Sequence, residues 1–266
     1  MINFIGLIGN KFNNAIKDII HIILLIALFI KFLPKSFSKK NQTRYIFFKS
    51  FLDSIYQTGI RTLYVTSVLS ILFGTFISLQ IIKYFSINEN NISIFADFLI
   101  IFIIREIAPL ISGLILILRA GSFITIKLSL MEVRKEYEIL KTFGIDPIIY
   151  ILTPTLLSFP LALLAIIVYF DFVSISISYF VLYMNISNIE FKVFWDTLLI
   201  KIENSEIYIT LLKAIIGGLL IGAINIYFSQ KVMTKLSKVP NVTSTAITSS
   251  TIIFIVINFI ISLIGY

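Results

Sequence analysis

Five long apolar runs constrain this chain more than any other feature of its sequence. Each run stays apolar over about twenty residues, the length that a helix needs to cross the hydrocarbon core of a membrane. Strands of membrane barrels alternate apolar and polar residues over about ten positions, and these runs do not alternate. The pattern predicts an all-α integral membrane protein with five transmembrane helices, at Thr62–Phe85, Ala96–Ala120, Ile148–Phe170, Ile207–Phe228 and Ala246–Ile264.

The composition agrees with a membrane protein that forms a single domain over residues 1–266. The chain is 58% hydrophobic and 14% charged, which is more apolar than soluble domains. A net charge of +8 would suggest nucleic acid as the partner of a soluble protein, but basic cytoplasmic loops explain it here. The chain has no cysteine, which excludes disulfides and thiolate metal sites. For the third apolar run, Ile148–Phe170, the alternative is a longer helix that continues toward Tyr183.

The distribution of Lys and Arg predicts the orientation of the helices. Nine basic residues precede the first span, counting Arg61, and one lies in the loop from Lys83 to Asp97. Five follow in the next connection, two in the segment 171–206 and three in the last loop. Basic residues are enriched in cytoplasmic loops. We therefore expect a cytoplasmic amino terminus, an external segment at 171–206 and a carboxy terminus on the outer side.

The amino-terminal region 1–50 contains a shorter apolar run, Ile19–Leu33, with basic residues on both sides. A crossing helix would place one basic group outside, so we expect an interfacial or re-entrant helix, with a spanning helix as the alternative. A signal peptide is disfavoured because no charged region precedes Lys11 and no small-residue cleavage site follows. His21, alone on an apolar face, is interpreted as structural.

A short charged helix is predicted on the cytoplasmic side, from Leu130 to Phe143. Its apolar residues are spaced three, four and three positions apart, so they form one stripe. Ion pairs Arg134–Glu138 and Glu138–Lys141 are expected from helix-neighbour spacing. An apolar stripe needs headgroups or another protein to cover it, and a solvated helix without a partner is the alternative. The stripe consists of Leu130, Val133, Tyr137 and Leu140.

The sequence after this helix predicts a tight connection to the third span. Gly144 is placed to adopt the left-handed conformation that ends a helix. Asp146 is placed to cap the next helix, with Pro147 at its first position. The charged helix is therefore expected to be covalently tied to spans on both sides.

Arg105 and Glu106 lie about ten residues inside the second run, or ~15 Å deep at the helical rise per residue. Each ionisable group at such depth costs at least ~2.5–3.5 kcal/mol. Adjacent helical residues point about 100° apart, so each of the two needs its own partner. Lys213 and Gln80 are polar residues at comparable depth, and Pro109 is expected to kink the helix. The pattern predicts a functional site that faces protein or water, and the alternative is a structural charge network.

No catalytic motif accompanies these charges. The sequence contains no Walker A, HExxH or GxSxG motif and no paired-Asp motif of head-group transferases,. Asp171 and Asp196 are too isolated to form one. We therefore expect no enzyme activity from this chain itself, and energy coupling would require a separate ATPase.

The stretch from Arg105 to Pro147 combines these features at fixed spacings. With matching positions elsewhere, it resembles the MlaE/YrbE family, permease subunits of ABC-type phospholipid transporters that work with MCE-domain proteins. The likeness covers the chain from about Tyr45 onward. The matching residues are Arg105-Glu106, Pro109, Arg119-Ala120-Gly121, Met131, Glu136, Gly144 and Asp146-Pro147 within the stretch, and Gly74, Gln80, Trp195 and Lys213 outside it.

The chain departs from the family pattern at several positions. Tyr137 stands where the family usually has Gln, Lys127 where Glu is common and Ser129 where Gly is common. Asn258 replaces an Asp common in the last span, and Ser237–Ser244 lacks the Gly-rich run of the family. These differences concern ATPase docking and the polar contacts of the last helix.

The resemblance implies a role for each group of residues. The helix at 130–143 would be a coupling helix that docks into a cytoplasmic ATPase, and two copies of the permease would enclose an outward-opening lipid pocket. An MCE protein would sit on the outer face, and no cofactor or metal is implied. The implied sets are Met131, Val133, Glu136, Tyr137 and Leu140 for coupling; Arg105, Glu106, Lys213, Gln80, Ile77 and Tyr84 for the lipid pocket; and Pro109, Gly121, Gly144, Asp146 and Pro147 for structure.

The sequence thus favours a homodimeric permease subunit in the inner membrane of a bacterium with an outer membrane. It would move phospholipids across the envelope and maintain the lipid asymmetry of the outer membrane. Three alternatives stay open: a permease for sterols or other hydrophobic compounds, a membrane-embedded lipid-modifying enzyme, and a scaffold subunit without a pocket.

Overall fold

The chain folds into a bundle of helices. A computed structural model describes residues 18, 20–27, 41–85, 91–186, 190–232 and 235–265, and no strand occurs among them. Short 3-10 turns precede two of the helices, at Ile60–Thr62 and Leu236–Lys238. In chain order we name the helices α1 (Asn41–Thr58), α2 (Leu63–Phe85), α3 (Ile92–Val133), α4 (Glu136–Thr142), α5 (Ile148–Asn185), α6 (Phe191–Lys201), α7 (Asn204–Gln230) and α8 (Val239–Gly265).

Five helical segments are long and apolar enough to cross a membrane. A helix pairs its backbone N–H and C=O groups internally, which a lipid environment demands. The predicted all-α membrane fold with five spanning helices is thereby confirmed, and the chain is a multi-pass membrane protein. The five segments are Phe47–Phe85, Ile92–Val133, Ile148–Asn185, Asn204–Gln230 and Leu236–Gly265.

Helices α5 and α7 form the centre of the bundle. α5 packs against α1, α2 and α7, and α7 packs against α3, α5 and α8. In the most apolar stretch of the α5 segment 67% of the residues are buried, whereas in that of the α8 segment 17% are buried. One face of α8 is therefore open to lipid or to another protein. We call the two ends of the bundle the α4 end and the α6 end.

Two glycines let these helices approach one another closely. A Cβ atom on Gly74 of α2 would lie 2.8 Å from the carbonyl oxygen of Ser174 in α5. A Cβ atom on Gly218 of α7 would collide with the backbone of Pro160 in α5. Close backbone approach at small residues is the usual way in which helices pack in a membrane.

A buried polar network explains Gly121. The Thr125 hydroxyl donates to Oδ1 of Asn225 at 2.8 Å, and Nδ2 of Asn225 donates to the Ile221 carbonyl at 2.7 Å. A Cβ atom on Gly121 would lie 2.9 Å from that Nδ2 atom. Glycine at this position therefore leaves room for the asparagine that joins α3 to α7.

The third span is longer than its predicted end at Phe170, because α5 continues to Asn185. The external segment predicted at 171–206 is accordingly too long. Asp171 belongs to α5, and Glu206, which is 2% exposed, belongs to α7. The alternative in which this helix continues toward Tyr183 is closer to the structure, because a single carboxylate does not end a helix when apolar residues continue around it.

The charged helix predicted from Leu130 to Phe143 is interrupted. α3 ends at Val133, Lys135 adopts a left-handed φ of 56°, and α4 begins at Glu136. A left-handed residue other than glycine costs ~1–2 kcal/mol, so this break opposes the local preference of the backbone.

The break also changes the ion pairs of this region. Arg134 pairs with Glu136 at 3.7 Å and Lys135 with Glu138 at 3.8 Å, whereas the sequence predicted Arg134–Glu138 and Glu138–Lys141. The break separates Arg134 from Glu138, which in one continuous helix would be neighbours. Glu138 and Lys141 both lie within α4, where Glu138 pairs with Lys135 instead.

The amino-terminal segment 20–27 is helical and lies at the α4 end of α7. Asp18 accepts two hydrogen bonds of 2.7 Å, from the Tyr227 hydroxyl and from the Lys231 ammonium group. Ile22 is buried, whereas Ile23 is 58% exposed, so an apolar face points away from the bundle. The rest of the predicted interfacial run 19–33 lies outside the described residues.

An ion pair strengthens the attachment of this segment, whose Ile22 packs in the core. Burial alone would raise the pKa of Asp18, but the hydrogen bonds from Lys231 and Tyr227 outweigh it and lower the pKa. Burial alone would lower the pKa of Lys231, but its bond to Asp18 raises the pKa instead. Both partners are thus held in their charged forms.

Candidate functional site

The buried charges of α3 and α7 form two ion pairs. Nε of Arg105 donates to Oε1 of Glu206 at 2.7 Å, and its terminal nitrogen contacts the same oxygen. The Glu106 carboxylate lies 3.7 Å from the Lys213 ammonium group and accepts a 3.2 Å hydrogen bond from Ser262 of α8. Each member of the Arg-Glu pair thus has its own partner, as expected from their divergence on the helix. We call these five residues the charge cluster.

The main chain of α3 also takes part in the charge cluster. The Lys213 ammonium group donates to the Arg105 carbonyl at 2.6 Å. This bond ties α7 to the backbone of α3 one turn before Pro109.

The backbone of α3 widens next to Pro109. The stretches Ile100–Ile107 and Leu116–Gly121 are π-helical, and the α-helical turns between them begin at Ala108. Pro109 itself lies in the α-helical turns, and the kink expected at this residue stays a prediction. π-Helical stretches are frequent at functional sites, and Arg105 and Glu106 lie in the first one.

The charge cluster is open on one side. The side chains of Glu206 and Lys213 are each 2% exposed, whereas those of Arg105 and Glu106 are 28% and 43% exposed. The four formal charges cancel. The site therefore presents a guanidinium and a carboxylate next to each other, held in place by two buried partners. An anionic ligand that binds Arg105 must compete with Glu206 for the guanidinium.

The structure does not bring the predicted α2 residues to the charge cluster. Among the described residues, no hydrogen bond or ion pair connects Gln80 or Tyr84 to it. Ile77 is 8% exposed and packs in the core, whereas Tyr84 is 74% exposed. One chain thus groups Arg105, Glu106 and Lys213 only, and the roles of Gln80, Ile77 and Tyr84 stay predictions.

The surface of α4 differs from the predicted stripe. Tyr137 packs against the core with its hydroxyl buried, and burial, followed by the nearby Glu132 and Glu136, raises its pKa. Ile139 and Phe143 are 51% and 76% exposed. The exposed apolar face at this end thus includes two residues that the stripe did not contain.

The remaining predicted coupling residues lie around the exposed apolar face of α4. Met131 packs against the core together with Tyr137. Val133, Glu136 and Leu140 are half-buried at the break and along α4. Of the coupling residues predicted from sequence, Glu136 thus offers a charged side chain beside the exposed apolar residues of α4.

The connection from α4 to α5 has the caps that the sequence predicts. Gly144 has a φ of 74°, and the N–H of Ile145 donates to the Leu140 carbonyl at 2.9 Å, which is the bond of a Schellman motif. Oδ1 of Asp146 accepts a 3.0 Å hydrogen bond from the N–H of Ile148, and Pro147 opens α5 between them. These bonds fix the direction in which α4 leaves the bundle.

Sequence reasoning missed Glu206 and Ser262 as members of the charge cluster. Glu206 was assigned to the external segment, and Ser262 carries no signal in an apolar run. One clue was available, because a charge on one spanning helix requires a counter-charge on another, and Glu206 is an acidic residue within two turns of Lys213. Asn258, one turn from Ser262, is 4% exposed, and its amide atoms have no partner among the described residues.

Comparison with known proteins agrees with this architecture. The family described as Permease MlaE matches residues 51–264. A probable ABC transporter permease protein of Rickettsia prowazekii (strain Madrid E) is 24% identical over 208 residues, which cover 77% of this chain and 78% of the relative. One from Rickettsia bellii (strain RML369-C) is 22% identical over 219 residues, which cover 82% and 83%. The chloroplastic protein Trigalactosyldiacylglycerol 1 of Arabidopsis thaliana is 30% identical over 118 residues, 44% of this chain and 33% of that protein. Since the family match extends over most of the sequence, the chain belongs to the MlaE permease family and is a transporter permease subunit.

Proposed function

We propose that this permease subunit moves phospholipids across a cell envelope and thereby maintains the lipid asymmetry of an outer membrane. The observation that carries the proposal is the charge cluster, which places a partly exposed Arg105 within an apolar bundle. A guanidinium suits a lipid phosphate because it donates two parallel hydrogen bonds. The name of the Arabidopsis relative contains a glycerolipid, which is the same broad class of compound.

The bound lipid tests this proposal. We expect phospholipid to co-purify with the wild-type protein and to be reduced several-fold in Arg105→Ala. Because Arg105→Ala leaves Glu206 without its partner, the same reduction is expected in the double variant with leucine at Arg105 and Glu206, which removes both charges. The matched control is Arg61→Ala, an exposed arginine outside the charge cluster. Mass spectrometry of the extracted compounds separates phospholipid from sterol or another hydrophobic substrate. Unchanged phospholipid in Arg105→Ala would remove the pocket role, and turnover of lipid without ATP would favour a lipid-modifying enzyme.

An ABC transporter permease works with an ATPase, and we propose that α4 is where this partner binds. The support is the exposed pair Ile139 and Phe143 beside Glu136. Exposed apolar side chains rimmed by charges are typical of a protein interface. The caps at Gly144 and Asp146 hold α4 rigidly against α5, so a push on α4 is passed to the bundle and not absorbed by a flexible loop.

We further propose that two copies of the chain associate through α8. Its exposed residues include Phe259 and Leu263, at 63% and 67% exposure. The chain has no cysteine, so a single introduced cysteine reports one position. Oxidation is expected to cross-link Phe259→Cys into a dimer in membranes, but not Phe172→Cys, which is 62% exposed on α5. Equal cross-linking at both positions would contradict an α8 interface.

The proposed setting is the inner membrane, with the α4 end in the cytoplasm and the α6 end facing an MCE-domain protein. Support comes from the excess of basic residues at the α4 end. A membrane-impermeant maleimide applied to intact cells should label Ile200→Cys on α6, which is 84% exposed, and spare Phe143→Cys, which is 76% exposed. The reverse pattern would invert the orientation and with it the proposed ATPase side.

A further inference from the structure

A second site adjoins the charge cluster and shares Glu206 with it. It is a cavity of about 580 Å³ between α3, α5, α7 and the end of α6, a size typical of small-molecule sites. Its walls are mainly aliphatic and include Ile104, Ile167, Val168, Ile207, Leu211 and Ala214. The apolar walls fit a hydrocarbon chain.

Four polar side chains also line this cavity; three of them have an atom without a hydrogen-bond partner, and the fourth, Asn204, is exposed. Oδ1 of Asp171, Oε2 of Glu206 and Oγ1 of Thr210 are buried and have no partner among the described residues. Glu206 is 2% exposed, so its side chain is shielded from bulk solvent. Buried polar atoms in folded proteins are nearly always paired, which makes three unpaired atoms in one cavity a sign of a ligand site.

These atoms come from facing helices. Glu206 and Thr210 are four residues apart on α7, so they share one face, and Asp171 lies on α5 across the cavity. Most serines and threonines of these helices donate to a carbonyl three or four residues earlier, as Ser174 does at 2.7 Å. Thr210 makes no such bond, so its hydroxyl oxygen is left for another donor.

One carboxyl group of the cavity has no counter-charge. Glu206 is neutralised by Arg105 through its other oxygen, Oε1. Asp171 takes part in none of the ion pairs found among the described residues. A buried carboxyl group without a cation favours its neutral form, so a positively charged ligand would supply the counter-charge that lets Asp171 ionise.

We propose that this cavity binds an amphiphile with a primary ammonium group. An ammonium group has three N–H donors and no acceptor, and the cavity offers three unpaired acceptors. The alkyl part of the amphiphile fills the aliphatic walls, while the ammonium charge balances Asp171. The cavity shares Glu206 with the charge cluster, but this proposal depends on Asp171 and Thr210 and not on the phosphate role proposed for Arg105.

The test uses octadecylamine with a photoreactive diazirine in its chain. The full-length protein is placed in phosphatidylcholine nanodiscs, which contain no primary amine. Light should cross-link the probe to peptides of α5 and α7 around Ile167 and Ile207. Asp171→Asn should weaken this binding about tenfold, since a charge-assisted hydrogen bond is lost. Asp196→Asn, an exposed carboxylate on α6, is the matched control and should bind as the wild type does.

A second variant guards against misfolding of the first. Thr210→Val keeps the shape of the side chain and removes one acceptor, so about fivefold weaker binding is expected. The proposal is overturned if octadecanol competes as well as octadecylamine, or if both variants bind the probe like the wild type. Competition by phosphatidylethanolamine would identify a lipid headgroup as the source of the ammonium, and competition by octadecylamine alone a single-chain amine. The lipid content measured for Arg105→Ala does not enter this experiment, so the two proposals fail separately.

Discussion

Replacement of Glu206 by alanine is expected to destabilise the bundle by about 3 kcal/mol. Removing one partner of a buried ion pair costs ~3–5 kcal/mol, because the other charge stays behind without compensation. Glu206 is 2% exposed and Arg105 is 28% exposed, so the guanidinium keeps some access to its surroundings. The loss should therefore lie at the lower end of that range.

Thermal unfolding of the protein in nanodiscs, followed by circular dichroism, measures this loss. For a chain of this size each kcal/mol shifts the Tm by about 2–4 °C, so Glu206→Ala should lower the Tm by about 6–12 °C. The control is Asp97→Asn, which breaks the pair with Lys201 at 26% and 49% exposure. An exposed pair contributes ~0–1 kcal/mol, so its Tm should change by less than about 4 °C.

A double replacement separates the ion pair from simple packing. Leucine at both Arg105 and Glu206 removes both charges, and apolar substitutes for a buried pair are often neutral or stabilising. The double variant should therefore unfold close to the wild type. A Tm of the double variant as low as that of Glu206→Ala would show that the ion pair does not account for the loss. Equal Tm values for Glu206→Ala and Asp97→Asn would show that burial does not strengthen the pair.

Three further predictions concern other parts of the molecule. Glu136→Lys and Phe143→Ser should each abolish or strongly weaken recovery of the ATPase in a pull-down, and an intact complex from both variants would count against α4 as the docking helix. Gly218→Ala should lower the Tm by about 4–8 °C, because its Cβ meets the backbone of α5 and overpacking costs ~1–3 kcal/mol; an unchanged Tm would show that the helices move apart at little cost. Because the pKa of Asp18 is lowered from 3.8, its pairing contributes stability that is present above that pH and lost as the pH falls through the folded value. Hydrogen exchange of residues 20–27, corrected for the intrinsic rate, should therefore stay constant from about pH 5 to pH 9 and rise only in stronger acid, and a change near neutral pH would exclude Asp18 as the anchor.

The spanning helices were predictable because a lipid environment leaves few choices to the backbone. Uninterrupted apolar runs predicted the helices, and local chemistry predicted the turn at Gly144 and the cap at Asp146. Each of these depends on residues within a few positions of one another. The sequence alone is enough wherever the determining contact is local.

The partners of the buried charges were not predictable in this way. Arg105 and Glu206 are 101 residues apart, and only the packing of α3 against α7 brings them together. Asp171 was placed at the start of the external segment, with a helix continuing toward Tyr183 as the alternative, because the helices packed around it are not visible in a single sequence. The break at Lys135 opposes local preference, so no local signal marks it.

The bond between Lys213 and the Arg105 carbonyl has a mechanical consequence. This bond joins the Lys213 side chain to the main chain of α3. A movement of α7 along α3 would therefore either break the bond or move the main chain of α3 as well. α3 runs without interruption over 42 residues to Val133, about 63 Å at 1.5 Å per residue, and α4 begins three residues later. A force applied to α4 therefore acts close to the end of α3. The bond between Lys213 and the Arg105 carbonyl would transmit that force to α7.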